Sequence, residues 1–184
     1  MGALLGDFVR GRAALEAYPQ PVREGIRMHR QIDSFIDTVP QFAQLRSGIE
    51  APFRRYAGII LDLGFDHELA RRWPEFNAQP LVEFDRDVRD LLARNDGLVP
   101  DGLARFMAYA DRRGLFAAYA RPEEILHSLR GIGRRLSRRN PLHRVAEIWD
   151  GLEPRLAQAF EPVLGAVQSE VGAWLKSRST ITGS

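Results

Sequence analysis

The first third of the chain carries two series of potential metal ligands that recur at intervals of four residues. His29, Asp33 and Asp37 form the first series, and Asp62 and Asp66 form the second. Because residues four positions apart lie on one face of an α-helix, each series predicts a helix with these side chains on one side. Apolar residues lie between these ligands and are expected to be buried. A charged side chain next to a buried apolar face is costly unless a group of opposite charge pairs with it. A divalent metal ion is such a partner.

The rest of the chain is also predicted to be helical. Apolar residues recur at helical spacing, prolines and glycines separate the segments, and no alternating run predicts a strand. The stretch 142–177 is predicted to form one bent helix or two, with breaks at Pro154 and Pro162. From a length of 184 residues we expect one all-α domain, a helical bundle over residues 1–178, with a flexible tail over 179–184.

The composition excludes several classes of site. The chain has no cysteine, which excludes disulfides, thiolate metal sites and a cysteine nucleophile. Any metal must be held by histidine and carboxylate, which suits Mn²⁺, Mg²⁺, Fe²⁺ or Zn²⁺. No apolar run is long enough to cross a bilayer, and residues 1–7 do not resemble a signal peptide, so we expect a cytoplasmic protein. A net charge of +2 gives no reason to expect a nucleic-acid partner.

The two series have a simpler explanation when each is taken alone. The first could be a hydrogen-bonded surface pair, and the second would be tolerated as like charges on one helix. Two further observations favour a metal site: Asp7 lies within an apolar segment, and His67 directly follows Asp66. A metal held by histidine and aspartate predicts hydrolysis of a phosphate ester. Arg30, next to His29, could then hold phosphate oxygens, or it could simply be a surface residue.

The densest basic cluster of the chain lies around residue 135. It could bind an acidic protein, a nucleic acid or a nucleotide, or it could be a solvated helix end that the helix dipole favours. Aromatic residues are not interleaved with it, which argues against stacking on single-stranded nucleic acid. The cluster consists of Arg130, Arg134, Arg135, Arg138 and Arg139.

Four short segments follow one another along the chain in a specific order. They are LLGDFVRG over 4–11, GIRMHRQID over 25–33, LDLGFDH over 61–67 and GIGRRLS over 131–137. Together, and over nearly the whole chain, they resemble the acyl carrier protein phosphodiesterase family, also called the acyl carrier protein hydrolase family. The His-Arg-x-Ile-Asp and Asp-x-x-x-Asp-His patterns are fairly specific in combination, although either alone is weak.

This resemblance implies a fold and an activity. Enzymes of the family are all-helical and resemble divergent members of the HD phosphohydrolase superfamily. They use a divalent metal, typically Mn²⁺, with Mg²⁺ or Fe²⁺ as other possibilities. They hydrolyse the phosphodiester that joins 4'-phosphopantetheine to a serine of holo-acyl carrier protein, which gives apo-acyl carrier protein and 4'-phosphopantetheine. The resemblance therefore implies holo-acyl carrier protein as the partner.

The resemblance also implies which residues form the site. The family's acid, its His-Arg-x-Ile-Asp motif and its Asp-His pair match five residues, which we expect to bind the metal and activate water: Asp7, His29, Asp33, Asp66 and His67. Asp62 and Asp37 are further candidates. For substrate binding we expect Arg30 and, because carrier proteins are acidic, Arg134 and Arg135 of the basic cluster.

Two alternatives remain on the residues alone. The chain could be another HD-like phosphohydrolase that acts on a nucleotide or other small phosphate, or a non-catalytic helical module that binds an acidic partner through the basic cluster. The family usually carries an Asn-Phe-Leu-Ala-His-Leu-like stretch before its Leu-Leu-x-Asp-Phe motif, whereas here Met1 and Gly2 lead straight into the motif. If that histidine is a ligand, we expect an incomplete site.

Overall fold

The computed structural model describes residues 1–110, 114 and 116–182. The secondary structure of these residues consists of α-helices and short 3-10 turns, and it includes no strand. The prediction of an all-α fold is confirmed. The nine α-helices of this described part are α1 (Gly2–Leu5), α2 (Gly11–Glu16), α3 (Gln20–Ile36), α4 (Pro40–Ser47), α5 (Ala57–Arg71), α6 (Leu81–Ala93), α7 (Asp101–Ala110), α8 (Pro122–Arg135) and α9 (Ala146–Thr182).

Helix α5 lies within the larger of two apolar cores, where it contacts α4, α8 and α9. Its Ile60 and Leu61 are fully buried and belong to one cluster with Phe42 of α4, Leu129 of α8 and Leu156 of α9. Burying each such side chain contributes about 1.5–3 kcal/mol. The core therefore holds α5 firmly and leaves its remaining face for polar side chains.

A smaller apolar core joins the N-terminal helices to α6 and α7. Leu5 of α1, Ile26 of α3 and Leu103 of α7 are almost completely buried in it. Helix α1 lies very close to α3, because a Cβ atom added to Gly2 would lie only 2.7 Å from the Cα atom of Gly25. This close approach sets the turn that follows α1 against the side of α3.

Helix α9 is one continuous helix of 37 residues with Pro154 and Pro162 inside it, so the predicted breaks at these two prolines are wrong. A proline removes the hydrogen bond to the carbonyl four residues earlier. Both prolines are exposed, as are Asp150 and Gln158, whose carbonyls lose that bond. Water can solvate these carbonyls on the outer side of the helix, while the buried side stays packed.

Two predicted segments, the tail over 179–184 and a helix over 101–113, are only partly described by the structure. Helix α9 continues to Thr182 and so includes 179–182 of the predicted tail, whereas 183–184 lie outside the described residues; the flexibility of the tail stays a prediction. Apolar spacing predicts a helix over 101–113; α7 forms its first ten residues, and 111–113 lie outside the described residues. Within the described ranges, none of the helices is both long and apolar enough to cross a membrane.

Candidate metal centre

Asp7, His29 and Asp33 meet where the turn after α1 lies against α3. His29 Nε2 lies 3.4 Å from Asp7 Oδ1 and 3.2 Å from Asp33 Oδ2. His29 and Asp33 are one helical turn apart on α3, as their spacing predicts. One potential ligand atom from each residue lies within 4.8 Å of the other two, an arrangement that no other group of three such residues shows in the ranges that the structure describes.

The residue before Asp7 must be glycine for this arrangement to form. A Cβ atom added to Gly6 would overlap the imidazole ring of His29, at its Cγ and Cδ2 atoms. The ring therefore lies directly on the backbone of the turn. Gly6 allows the Asp7 carboxylate and the His29 ring to share one small volume.

Arg30 holds the same turn from the other side. Its Nη2 atom donates a hydrogen bond to the carbonyl oxygen of Val9 at 2.5 Å. This contact joins α3, which carries His29, to the segment that carries Asp7. Arg30 thus positions the turn in this structure, and its proposed contact with substrate phosphate stays a prediction.

Helix α5 brings Asp62 and Asp66 towards this group. Both side chains are accessible to solvent. Protein atoms nevertheless surround much of each carboxyl group, and this burial is the main cause of the raised pKa values of both residues. Burial and then the charges of Asp33 and Asp7 raise the pKa of Asp62 to about 6. Burial and then the charges of Asp62 and Asp7 raise the pKa of Asp66 to about 7. The α5 carboxylates therefore lie within electrostatic range of Asp7.

We refer to Asp7, His29, Asp33, Asp62 and Asp66 as the acidic cluster. The hydrogen bond with His29 lowers the pKa of Asp7, and the same bond raises the pKa of the His29 imidazole. Burial raises the pKa of Asp33. The cluster sets four carboxylates against one imidazole. Burial is the main cause of the raised pKa values of Asp33, Asp62 and Asp66, and the charges of neighbouring acids add to it.

The acidic cluster fits a divalent metal in its chemistry and its spacing. One imidazole nitrogen and several carboxylate oxygens suit Mn²⁺, Mg²⁺ or Fe²⁺. Two donors that share one ion at about 2.2 Å lie at most about 4.4 Å apart. The ligand atoms of Asp7, His29 and Asp33 already lie within 4.8 Å of one another, so small side-chain rotations suffice. A cation would also balance the excess negative charge.

The structure does not bring His67 to the acidic cluster. His67 is fully buried, its Nδ1 atom lies 2.7 Å from the Tyr119 carbonyl oxygen, and its Nε2 atom lies 3.3 Å from Glu153 Oε1. Its ring also makes an edge contact with Trp149, at 5.9 Å between ring centroids. Consecutive helical residues point about 100° apart. Asp66 can therefore face the cluster while His67 faces the core, and we leave His67 out of the ligand set.

Asp37 continues the spacing of His29 and Asp33 but has another partner. Its Oδ1 atom lies 2.5 Å from Arg46 Nη1, and it follows the last residue of α3. Asp37 is therefore outside the group of ligand atoms that meet at His29.

A family model of acyl carrier protein phosphodiesterases matches residues 1–167, which include the whole acidic cluster. The chain belongs to the acyl carrier protein phosphodiesterase family. The resemblance of the four sequence segments is thereby confirmed.

Individual members of the acyl carrier protein phosphodiesterase family match most of the chain. The enzyme of that name from Enterobacter sp. (strain 638) is 34% identical over 156 residues, which cover 83% of this chain and 77% of the relative. The one from Escherichia coli O139:H28 (strain E24377A / ETEC) is 33% identical over 170 residues, which cover 86% of this chain and 84% of the relative. No solved structure significantly matches the chain.

Two predicted substrate residues of this acyl carrier protein phosphodiesterase family member lie at the end of α8. Arg134 lines a recess there. Arg135 does not line it, and its Nε atom donates a hydrogen bond to the Gly131 carbonyl oxygen at 3.3 Å.

Asp62 was ranked below the other candidate ligands in the sequence analysis. Its spacing of four residues from Asp66 was the signal that pointed to it.

Proposed function

We propose that this chain is a metal-dependent phosphodiesterase that releases 4'-phosphopantetheine from holo-acyl carrier protein and leaves the apo form. The acidic cluster is the observation that carries the proposal, since potential ligand atoms of Asp7, His29 and Asp33 lie within 4.8 Å of one another and two carboxylates of α5 lie within electrostatic range of them. Family membership and the names of the relatives support the carrier protein as substrate. The proposal thus combines a metal-compatible site with a substrate class.

Asp7, His29 and Asp33 would hold the metal, with Asp62 and Asp66 completing its surroundings. We propose Mn²⁺, with Mg²⁺ or Fe²⁺ as alternatives that the same ligands accommodate. When bound, the ion would supply positive charge that lowers the pKa of water and neutralises phosphoryl oxygens.

The chain's own residues have two tasks in this hydrolysis. Arg30 and Gly6 keep the Asp7 turn against His29, which preserves the spacing of the ligand atoms. The attacking water forms the new bond to phosphorus, the bond from phosphorus to the serine oxygen breaks, and the water's proton must be accepted. An Asp62 or Asp66 carboxylate oxygen that is not a ligand can accept this proton and pass it to the serine oxygen, which then leaves as a hydroxyl.

The direct test is conversion of purified holo-acyl carrier protein to the apo form, measured by mass spectrometry together with released 4'-phosphopantetheine. We expect conversion with Mn²⁺, and none with a chelator or with the Asp33→Asn variant. Asp37→Asn is the matched control, because Asp37 is one helical turn from Asp33 but pairs with Arg46. Conversion that survives chelation and Asp33→Asn would exclude the metal mechanism. Hydrolysis of nucleotides in the same assay, without carrier-protein conversion, would favour a small-phosphate hydrolase instead.

A further inference from the structure

The recess at the C-terminal end of α8, which Arg134 lines, is dominated by arginines. It has a volume of about 430 Å³. We refer to it as the basic recess; it is lined by Arg130, Arg134, Arg138 and Arg139, together with His143. It shares no residue with the acidic cluster, so it is a separate feature of the surface.

The loop after α8 is folded back to form this recess. Asn140 Nδ2 donates to the Gly133 carbonyl oxygen at 2.8 Å and to the Arg138 carbonyl oxygen at 3.0 Å, while Asn140 Oδ1 accepts from the Leu142 backbone N–H at 3.2 Å. A Cβ atom at Gly133 would lie only 2.7 Å from Asn140 Oδ1, so glycine permits this close contact. The loop arginines are therefore set beside those of the helix by specific contacts.

The positive charge of the basic recess is not balanced locally. None of its four arginines has a salt bridge to a carboxylate in the part of the chain that the structure describes. Arg144, just beyond the recess, shows the contrast, because its Nε atom lies 2.7 Å from Glu147 Oε1. The dipole of α8 favours a cation such as Arg134 in its last turn, but Arg138 and Arg139 lie beyond the helix. Unbalanced charge of this kind favours an anionic partner.

We propose that the basic recess is the docking surface for an acidic face of the carrier-protein substrate; this inference rests on the proposed function. All four arginines are exposed and spread along a helix end and a loop, which suits a protein surface carrying several carboxylates. Leu136, 37% exposed among them, offers an apolar contact at the same surface. Arginine is a residue type that such interfaces favour.

The helix that leads into the basic recess also contacts the helix that carries part of the acidic cluster. Helix α8 packs against α5, which carries Asp62 and Asp66. A carrier protein that docks at the basic recess would therefore sit on an element that is packed against the proposed active site.

The test reverses charge in the recess and measures binding separately from cleavage. The variant is Arg134→Glu with Arg138→Glu, and the matched control is Arg86→Glu with Arg94→Glu, which makes the same charge change on exposed positions of and just after α6. Apo-acyl carrier protein is titrated by fluorescence anisotropy, because it is the reaction product and cannot be cleaved. We expect the recess variant to weaken binding by about tenfold or more and the control pair by less than about twofold.

Cleavage measurements distinguish the two proposals. With holo-acyl carrier protein, we expect the recess variant to raise KM by a similar factor while kcat changes little, and its hydrolysis of bis(p-nitrophenyl) phosphate should match the wild type. Equal weakening by both charge-reversed pairs, or no binding of apo-carrier protein by the wild type, would overturn the docking proposal. Binding that depends on the recess without any cleavage by the wild type would instead overturn the proposed function. If the charge-reversed variant fails to fold, the neutral variant Arg134→Gln with Arg138→Gln replaces it in the same binding assay. We expect it to weaken binding less than charge reversal does.

Discussion

His29 Nε2 lies 3.4 Å from Asp7 Oδ1, although the two residues are 22 positions apart in the chain. A protonated imidazole stabilises the neighbouring carboxylate through this contact, which therefore lowers the pKa of Asp7 and raises the pKa of His29. A metal ion needs the unprotonated imidazole nitrogen. A metal ion in the proposed site would therefore compete with a proton for His29.

This competition predicts that Mn²⁺ affinity rises with pH. Below the raised pKa of His29 the ring carries the proton, and each displaced proton changes affinity by about tenfold per pH unit. The raised pKa values of Asp62 and Asp66 act in the same direction. Titration of the metal-free protein with Mn²⁺, followed by electron paramagnetic resonance at several pH values, measures the trend. Calorimetry in buffers of different ionisation enthalpy should show proton release, and an affinity independent of pH would contradict the prediction.

Asp66→Asn is expected to stabilise the metal-free protein at neutral pH while abolishing its response to metal. The pKa of Asp66 rises from 3.8 to about 7, so between these values the folded state binds more protons than the unfolded state. Stability of the metal-free protein therefore falls as pH rises through that range. Allowing for solvent screening, removing this charge should raise Tm by about 2–4 °C above pH 7.

Calorimetric scans of wild type and Asp66→Asn, with and without Mn²⁺, measure both effects. Mn²⁺ should raise the Tm of the wild type but not that of the variant. The same variant at a pH near 4, where the wild-type carboxyl is protonated, serves as the control and should show no gain. A lower Tm for metal-free Asp66→Asn at neutral pH would show that the carboxylate is well balanced without metal.

Gly6→Ala is expected to abolish metal binding without unfolding the protein. The added methyl would overlap the His29 ring, which must move away from Asp7. Gly58→Ala is the matched control, because a Cβ atom there meets nothing within 4 Å and alanine should stabilise the helix by up to about 1 kcal/mol. Metal affinity and Tm of both variants test this. Full Mn²⁺ affinity in Gly6→Ala would show that His29 is not a ligand.

His67→Gln is expected to destabilise the protein but preserve Mn²⁺ affinity. The ring contacts Tyr119 and Glu153 from a fully buried position, and disrupting buried hydrogen bonds of this kind costs about 1–3 kcal/mol. Affinity is measured well below the lowered Tm, where the variant is folded. Loss of Mn²⁺ binding in a folded His67→Gln protein would return His67 to the ligand set.

Local spacing was sufficient to predict some features of the molecule and not others. Because four residues make about one turn, the sequence correctly predicted helices for the His29 and Asp62 series. The contact of Asp7 with His29 joins the turn after α1 to α3, so periodicity could not predict it; the apolar segment around Asp7 and the family resemblance were the signals for it. His67 was grouped with Asp66 because the two match the family's Asp-His pair, but neighbouring residues of a helix point in different directions.

The basic recess shows a second limit of reading the chain locally. The arginines are visible in the sequence, and so is the end of α8 near them. Their arrangement depends on Asn140, whose side chain joins residues on both sides of the loop. An asparagine next to a proline predicts a turn but not its partners. Docking geometry of this kind therefore appears only in three dimensions.

The acidic cluster also lies between the two apolar cores. Asp7 and His29 belong to segments held by the smaller core, through Leu5 and Ile26, whereas Asp66 belongs to α5 in the larger one. An ion bound by ligands from both sides would link the two separately packed apolar cores. Metal loading would then set how cooperatively the two cores unfold, so that the ion proposed to support hydrolysis would also make the fold behave as one unit.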